Sequence, residues 1–267
     1  MGVADLSVSL DGRTVLITGS TTGMGQDIAR TFARSGAKVA IHGLGEQEAI
    51  AHFVNELSEL SGHKTFHFDH DLSDGRQGGV LVQAAIARLG DVDILINNAG
   101  VQFVSGVETF PTEQWDRLLA VNLGAAFHAI KAVFPGMKRK GWGRIINTAS
   151  TLALAGEVGK TAYVAAKHGI LGLTRTVALE GAELGITCNA ICPGWVYTPL
   201  AAAQVEAKAA ALGLSLEQTT KEHFLSEMPT KRFVDPFEVA SAMLFLCTEN
   251  ARSITGIALP VDGGISA

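Results

Sequence analysis

The chain has 267 residues, 47% of them apolar and 18% charged, with a formal net charge of −5. That balance excludes a disordered chain and supplies enough apolar side chains for a sizeable core, and α/β sheet proteins of this length commonly form one unit. The 30 glycines follow no G-X-Y period and no basic block offsets the acidic balance, which excludes collagen-like and nucleic-acid-binding chains. Cys188, Cys192 and Cys247 contain no C-x-x-C pair, so they predict neither a disulfide framework nor a metal site, and no metal is assigned. Met1 to Gly12 lacks the basic and apolar regions of an export signal. No run approaches the ~18 apolar residues of a membrane span, and a cytoplasmic, reducing compartment is expected.

Val15-Leu16-Ile17 is the first short apolar run, as expected of a parallel strand buried on both faces. Thr18 to Gly25 follows it and leads into a helical pattern over Gln26 to Arg34, which puts Ile28, Ala29 and Phe32 on one face and stops near Gly36. Val39-Ala40-Ile41 reads as the second strand. Glu46 to Leu60 carries Ile50, Phe53, Val54 and Leu57 at helical spacing. Thr65-Phe66-His67-Phe68 alternates instead, which predicts a strand nearer an edge. Ile94-Leu95-Ile96 and Ile145-Ile146 are two more buried strands, Tyr163 to Leu184 is a long alanine-rich helix, and Ile186 to Ile191 is a strand.

Between Thr198 and Met228 no strand is predicted. Ala201 to Ala211 and Ser215 to Leu225 look helical on either side of Gly213, and an insert of this size after a strand is usually functional, so a helical substrate lid is expected over about 198–228. Asp235-Pro236-Phe237-Glu238 reads as a capping box with proline at the first helical position. Ile257 to Val261 is the last strand. About seven strands alternating with helices mean βαβ units and a Rossmann-like, doubly wound parallel sheet, with no linker or repeat dividing residues 1–267.

The run Thr18-Gly19-Ser20-Thr21-Thr22-Gly23-Met24-Gly25 stands between the first strand and first helix. There glycines let the backbone turn tightly and approach a pyrophosphate resting on helix N-terminal amides. The spacing is G-x-x-x-G-x-G rather than G-x-G-x-x-G, and a glycine-rich loop also serves plain turns, so the strand-to-helix context carries the reading.

With this loop, Asn97-Asn98-Ala99-Gly100 after the fourth strand, Ser150, Tyr163-x-x-x-Lys167 and Pro193-Gly194, the chain resembles the short-chain dehydrogenase/reductase family almost end to end. Asn98-Ala99-Gly100-Val101-Gln102, Ala162 to Gly169 and Asn189 to Val196 are most similar to the family's (R)-3-hydroxybutyrate dehydrogenases. The resemblance implies a nicotinamide cofactor bound by Gly19, Thr21, Gly23, Met24, Gly25, Asn98, Gly100, Tyr163, Lys167, Pro193, Val196 and Thr198. It implies a homotetramer as well, and the small residues Ala165, Gly169 and Gly172 of the Tyr163 helix suit close packing between subunits or on the chain's own sheet. The second strand ends His42-Gly43-Leu44-Gly45, without the acidic residue that marks NAD and without a cation for the 2′-phosphate of NADP. A dianionic phosphate without a cation is poorly bound. The resemblance implies NAD, with Leu44 beside the adenosine ribose and Asp71-Leu72 at the adenine. His42 is read as a strand-end polar residue or as a group at that ribose.

Hydride transfer at a ketone needs a proton donor at the carbonyl oxygen, and a tyrosine with a pKa near 10 is a poor base at neutral pH. A lysine one helical turn away favours the phenolate, and Tyr163 and Lys167 share a helix face. The family reading makes Tyr163 the general acid/base, Lys167 the group that lowers its pKa and holds the ribose, Ser150 the residue that positions the substrate oxygen, and Asn122 the support of a water that links Lys167 to solvent. Singly, each has a plain structural reading; together they point to an oxidoreductase. The resemblance further implies a small carboxylate substrate contacted by Gln102, Ser150, Lys160, Tyr163 and Gln204, with Trp195 bounding the pocket. Where those dehydrogenases have a histidine two residues after the serine, this chain has Leu152. The expected activity is interconversion of a small (R)-3-hydroxy acid and its 3-oxo acid. Alternatives are a reductase of another secondary alcohol, such as a sugar acid or acyl thioester, and a cofactor-binding regulator, for which an intact proton relay has no use.

Overall fold

The computed structural model describes residues 8–267, so the part of the N-terminal reading that rests on Met1 to Ser7 lies outside the described residues. Seven strands, β1 (Thr14–Ile17), β2 (Lys38–His42), β3 (Phe66–Phe68), β4 (Ile94–Asn97), β5 (Gly143–Thr148), β6 (Ile186–Pro193) and β7 (Ala258–Val261), form one sheet in the order β3-β2-β1-β4-β5-β6-β7. Every pairing is parallel. β3 lies at one edge, as its alternating sequence predicts. The central strands are buried on both faces, and their side chains divide with the period of two that a strand imposes. Val15 and Ile17 join a core with Ile28, Phe32, Phe53 and Met243, while Leu16 points the other way into a core with Leu81, Leu95, Val133 and Val177.

The helices are α1 (Gly23–Arg34), α2 (Gln47–Ser61), α3 (Gln77–Leu89), α4 (Thr112–Leu119), α5 (Ala125–Lys140), α6 (Thr161–Gly181), α7 (Pro199–Leu212), α8 (Leu216–Thr219) and α9 (Pro236–Leu246). The expected capping box at Asp235 is present, with both of its reciprocal hydrogen bonds. α1 begins at Gly23, earlier than the apolar pattern alone suggested, because the glycine loop turns directly into it. The expected helix Ser215 to Leu225 is instead a short α8, capped by the Ser215 hydroxyl, followed by a wider π turn over Thr220–Phe224. The three cysteines are buried.

The sequence reading did not single out α3, α4 or α5, where Gly78-Gly79 and Pro135 interrupt the helical pattern. Tertiary packing overrides that weak local propensity. One expectation is corrected here. The continuous 29-residue helical stretch Thr112–Lys140 contains an 18-residue window long and apolar enough to cross a membrane, with a mean hydropathy of 1.5. In the fold its apolar residues Ala129, Ile130, Val133 and Met137 are core, buried against the sheet.

The excursion that carries α7 and α8 leaves the body at Trp195–Tyr197 and rejoins it at Val234, with Met228 in the main core and Thr230 N donating to Gly263 O at 3.3 Å. Val196 and Val234 form a parallel bridge, Val234 N donates to Trp195 O at 2.8 Å, and Tyr197 N donates to Val234 O at 3.2 Å.

The α3–α5 contact explains Gly78, since a Cβ there would stand 2.3 Å from the Ala125 carbonyl oxygen. Gly78→Ala is expected to force the two helices apart and to lower unfolding free energy by about 1–3 kcal/mol. Urea denaturation measures it, and an unchanged midpoint would show that α3 shifts freely.

Candidate active site

Beyond the C-terminal ends of β1 and β4 the chain encloses a cleft of about 1230 Å³, lined by every site residue singled out from the sequence except Asn122. At its nucleotide end the backbone comes very close to itself. Gly19 has φ +62° and a Cβ there would lie 2.7 Å from Ala99 Cα; one on Gly25 would lie 2.1 Å from Gly19 O. Thr18 Oγ1 accepts from the amides of Asn98 (2.9 Å) and Ala99 (3.0 Å), and Asn98 Nδ2 donates to Thr18 O (3.1 Å) and Gly19 O (2.9 Å). Gly23, Met24 and Gly25 line the cleft at the first turn of α1, whose N-cap Thr22 makes no side-chain cap. Their amides are available to an anionic group, so this cradle fits a dinucleotide pyrophosphate.

His42 is a brace. Gly19 N donates to its Nδ1 at 3.2 Å, which places the proton on Nε2, and Nε2 donates to His70 O at 2.8 Å. The ring is buried and its pKa is pushed down by desolvation, so it is neutral and offers no charge to a 2′-phosphate. Thr21 Oγ1 donates to Leu44 O at 3.1 Å, and Leu44 projects with 60% exposure. Leu72 is buried, and Asp71 accepts from Ser73 N, which lowers its carboxyl pKa. The lysines and arginines lining the cleft are Arg117, Lys160 and Lys167, none of them in the glycine loop or at 42–45.

At the chemical centre, Ser150 ends the extended segment after β5 and its Oγ accepts from Leu152 N at 3.1 Å. That leaves the hydroxyl hydrogen to donate elsewhere. Tyr163 and Lys167 share one face of α6, with Lys167 Nζ 5.5 Å from the Tyr163 ring centroid. Lys167 is 3% exposed and donates to Thr148 O at 2.7 Å. Burial pulls its pKa down to about 8. Burial also pushes the Tyr163 phenol up, with the Ser150 hydroxyl acting the other way and the Glu157 carboxylate adding to the rise. Desolvation outweighs the Ser150 hydrogen bond, so the Tyr163 phenol is held in its protonated form. Asn122 sits in the π turn Ala120–Gly124, and its amide accepts from Val101 N and donates to Val101 O, both at 2.9 Å. The side chain thereby clamps the strand exit that carries Gly100 and Gln102.

At the substrate end Gln204 Nε2, from α7, donates to Gln102 Oε1 at 3.4 Å. Trp195 packs edge-on against Phe224 at 4.9 Å between centroids. Lys160 is buried, lies 5.3 Å from the Trp195 ring centre, and pairs with Glu157 at 2.8 Å. Leu152 lines the same wall. Sequence reasoning missed Glu157, whose only signal was its i,i+3 spacing from Lys160. It also missed Arg117, and His223 and Glu227, which reach the cleft from the helical excursion.

The model of the short chain dehydrogenase family matches residues 13–209, and the chain belongs to that family of oxidoreductases. It is 47% identical over 255 residues to a D-beta-hydroxybutyrate dehydrogenase of Rhizobium meliloti (strain 1021), covering 96% of this chain and 99% of the relative. A protein of that name from Cupriavidus necator is 44% identical over 255 residues, covering 96% and 98%. Among solved structures, an actinorhodin polyketide ketoreductase with NADPH superposes with a TM-score of 0.87 at 36% identity, covering 95% of this chain and 97% of that one. The L-sorbose reductase of Gluconobacter frateurii, complexed with NADPH and L-sorbose, gives 0.92 at 27% identity over 98% and 99%. The family fold binds a nicotinamide cofactor.

Lys167 is a buried charge with a single protein hydrogen bond, a costly arrangement for stability. Lys167→Met is expected to abolish turnover yet raise unfolding free energy by about 1–3 kcal/mol at pH 7. The folded-state pKa of about 8 lies below the ordinary 10.5, so the unfolded chain holds more protons between those values and the parent gains stability as pH rises through them. The advantage of the variant is therefore full below about pH 8 and fades toward 10.5. Thermal melts at pH 7 and pH 10 test this.

Proposed function

We propose that this protein is an NAD-dependent dehydrogenase that interconverts a small (R)-3-hydroxy acid and its 3-oxo acid, 3-hydroxybutyrate and acetoacetate or a close homologue. The observation that carries the reading is a buried lysine, Lys160, that lines the same cleft as the hydrogen-bonded Gln102–Gln204 pair and as Ser150, Tyr163 and Lys167. A cleft that offers a cation and side-chain amides suits a carboxylate. The identity to the two D-beta-hydroxybutyrate dehydrogenases supports it. NAD is favoured over NADP because neither the glycine loop nor residues 42–45 carry a lysine or arginine and His42 is neutral; the NADPH of the two solved relatives belongs to those proteins.

The nicotinamide, when bound, accepts or supplies the hydride at the substrate carbon. Pyrophosphate binding falls to the amides of Gly23 to Gly25, the adenosine end to Thr21, Leu44, Asp71 and Leu72, and the nicotinamide end to Asn98, Gly100, Pro193, Val196 and Thr198. Ser150 donates its free hydroxyl hydrogen to the substrate oxygen. Tyr163 gives that oxygen a proton in reduction and takes it back in oxidation. Lys167 holds the ribose and, near a positively charged nicotinamide, favours the phenolate, while Asn122 keeps the Lys167 side of the cleft in register. Residues 198–228 act as a lid, hinged where Val196 meets Val234, and bring Gln204 to the substrate. A cytoplasmic homotetramer, built as one domain, fits the exposed Phe127 and Leu179 on α5 and α6.

A second reading, reduction of another ketone, is favoured by one observation: Leu152 stands on the pocket wall where the hydroxybutyrate enzymes it resembles carry a histidine.

Absorbance of NADH with a panel of 3-hydroxy acids tests the assignment. Tyr163→Phe is expected to lower kcat by about 10²–10⁴-fold with cofactor affinity nearly intact, and near-normal kcat would overturn the proton relay. Leu152 removes one charge-assisted donor, worth roughly 1.5–3 kcal/mol, and adds apolar wall. The natural enzyme is expected to prefer a hydroxy acid longer than four carbons, and Leu152→His is expected to raise kcat/KM for 3-hydroxybutyrate by about tenfold. A steep four-carbon preference that the substitution leaves unchanged would make Leu152 plain packing.

A further inference from the structure

We infer that Glu157 is a specificity-determining residue of the substrate end: an internal carboxylate that occupies Lys160 in the resting site and must be exchanged for the carboxylate of the substrate. The inference rests on the hydroxy-acid reading above. Its starting point is that the cation assigned to the substrate is already paired. Lys160 Nζ lies 2.8 Å from Glu157 Oε1, and both residues line the cleft.

The two partners differ in their freedom. The Lys160 side chain is only 10% exposed and stands over the Trp195 ring, on a backbone fixed at the N-cap position of α6, so it stays where it is. The Glu157 side chain is 43% exposed on the open connection between β5 and α6. It lies between Gly156, around which there is open space, and Gly159, whose φ of +79° holds the turn, and its neighbour Val158 is almost fully exposed. Exchange therefore proceeds by Glu157 turning out to water. No bond is made or broken; one carboxylate replaces another on the same ammonium.

The exchange has consequences for selectivity. A buried ammonium left without any partner is costly, and Glu157 removes that penalty from the empty enzyme. The same carboxylate competes with substrate and repels a second negative charge near it. Monoanionic hydroxy acids able to displace it are accepted weakly, and dianionic acids are disfavoured most. A neutral alcohol does not need the lysine and feels no competition.

The test compares KM for 3-hydroxybutyrate, for the dianion 3-hydroxyglutarate and for neutral 1,3-butanediol in the parent, Glu157→Gln, Glu157→Ser and Lys160→Ala. Both Glu157 substitutions are expected to lower KM for 3-hydroxybutyrate by about three- to tenfold, and that for 3-hydroxyglutarate by more, without lowering KM for the diol. Lys160→Ala is expected to raise KM for the two acids about tenfold or more while sparing the diol. If Lys160→Ala raises KM for the acids but the Glu157 variants leave it unchanged or raise it, the exchange is wrong and the carboxylate assignment stands. If neither set alters the preference between acids and diol, the carboxylate assignment falls and takes the exchange with it.

Discussion

The site depends on the place where the strand order turns back. β1 has β2 and β3 on one side and β4 to β7 on the other, so the connections leaving β1 and β4 diverge and open a crevice at their C-terminal ends. Open α/β sheets bind ligands at such a switch point. Here it is tied by one polar knot: the Thr18 hydroxyl accepts two amides from the β4 exit, and the Asn98 side chain returns two hydrogen bonds to the β1 exit. Two glycines permit the approach, and a single Cβ at either would collide with backbone. The cofactor cradle, the spacing of Gly100 and Gln102, and the reach from both to α6 follow from that contact.

Around the knot, polar groups fall into two kinds. His42, Thr21 and the Asn122 amide have their donors and acceptors directed at neighbouring backbone, so they shape loops. Ser150, Tyr163, Lys160 and Lys167 keep hydrogens or charge directed at the cleft. The second kind is paid for in stability, most clearly at Lys167, whose pKa near 8 records how poorly its burial suits an ammonium. Buried groups held against their preference are a common property of reacting sites.

The substrate end is a softer construction than the cofactor end. Its wall is assembled from three separated stretches: Gln102 beyond β4, Leu152 to Lys160 between β5 and α6, and Trp195 to Gln204 beyond β6. The last is joined to the body by the Val196–Val234 bridge and by the hydrogen bond from Thr230 N to Gly263 O. A wall of this kind changes its chemistry by single substitutions without disturbing the sheet, as Leu152 and Glu157 illustrate.

Much of this was legible in the chain itself. Apolar runs of strand length, the glycine loop set between strand and helix, and the four-residue spacing of Tyr163 and Lys167 are local patterns, and local geometry fixes what they do: a strand alternates, a helix turn aligns i and i+4. Residues on adjacent strand ends therefore fell into one cleft as expected. Helices α3 to α5 were less legible, because Gly78 and Pro135 speak against helix locally and only the close approach of Ala125 explains the first of them. Three things were decided by tertiary structure alone. Whether His42 is charged depends on burial and on its two backbone partners. Which backbone the Asn122 amide holds, that of Val101 at the β4 exit, depends on the π turn that carries it. Whether Lys160 is free depends on a glutamate three residues away that the turn at Gly159 folds back onto it. In each case the sequence determines which atoms are available, while the field and partners around them arise only when distant segments pack.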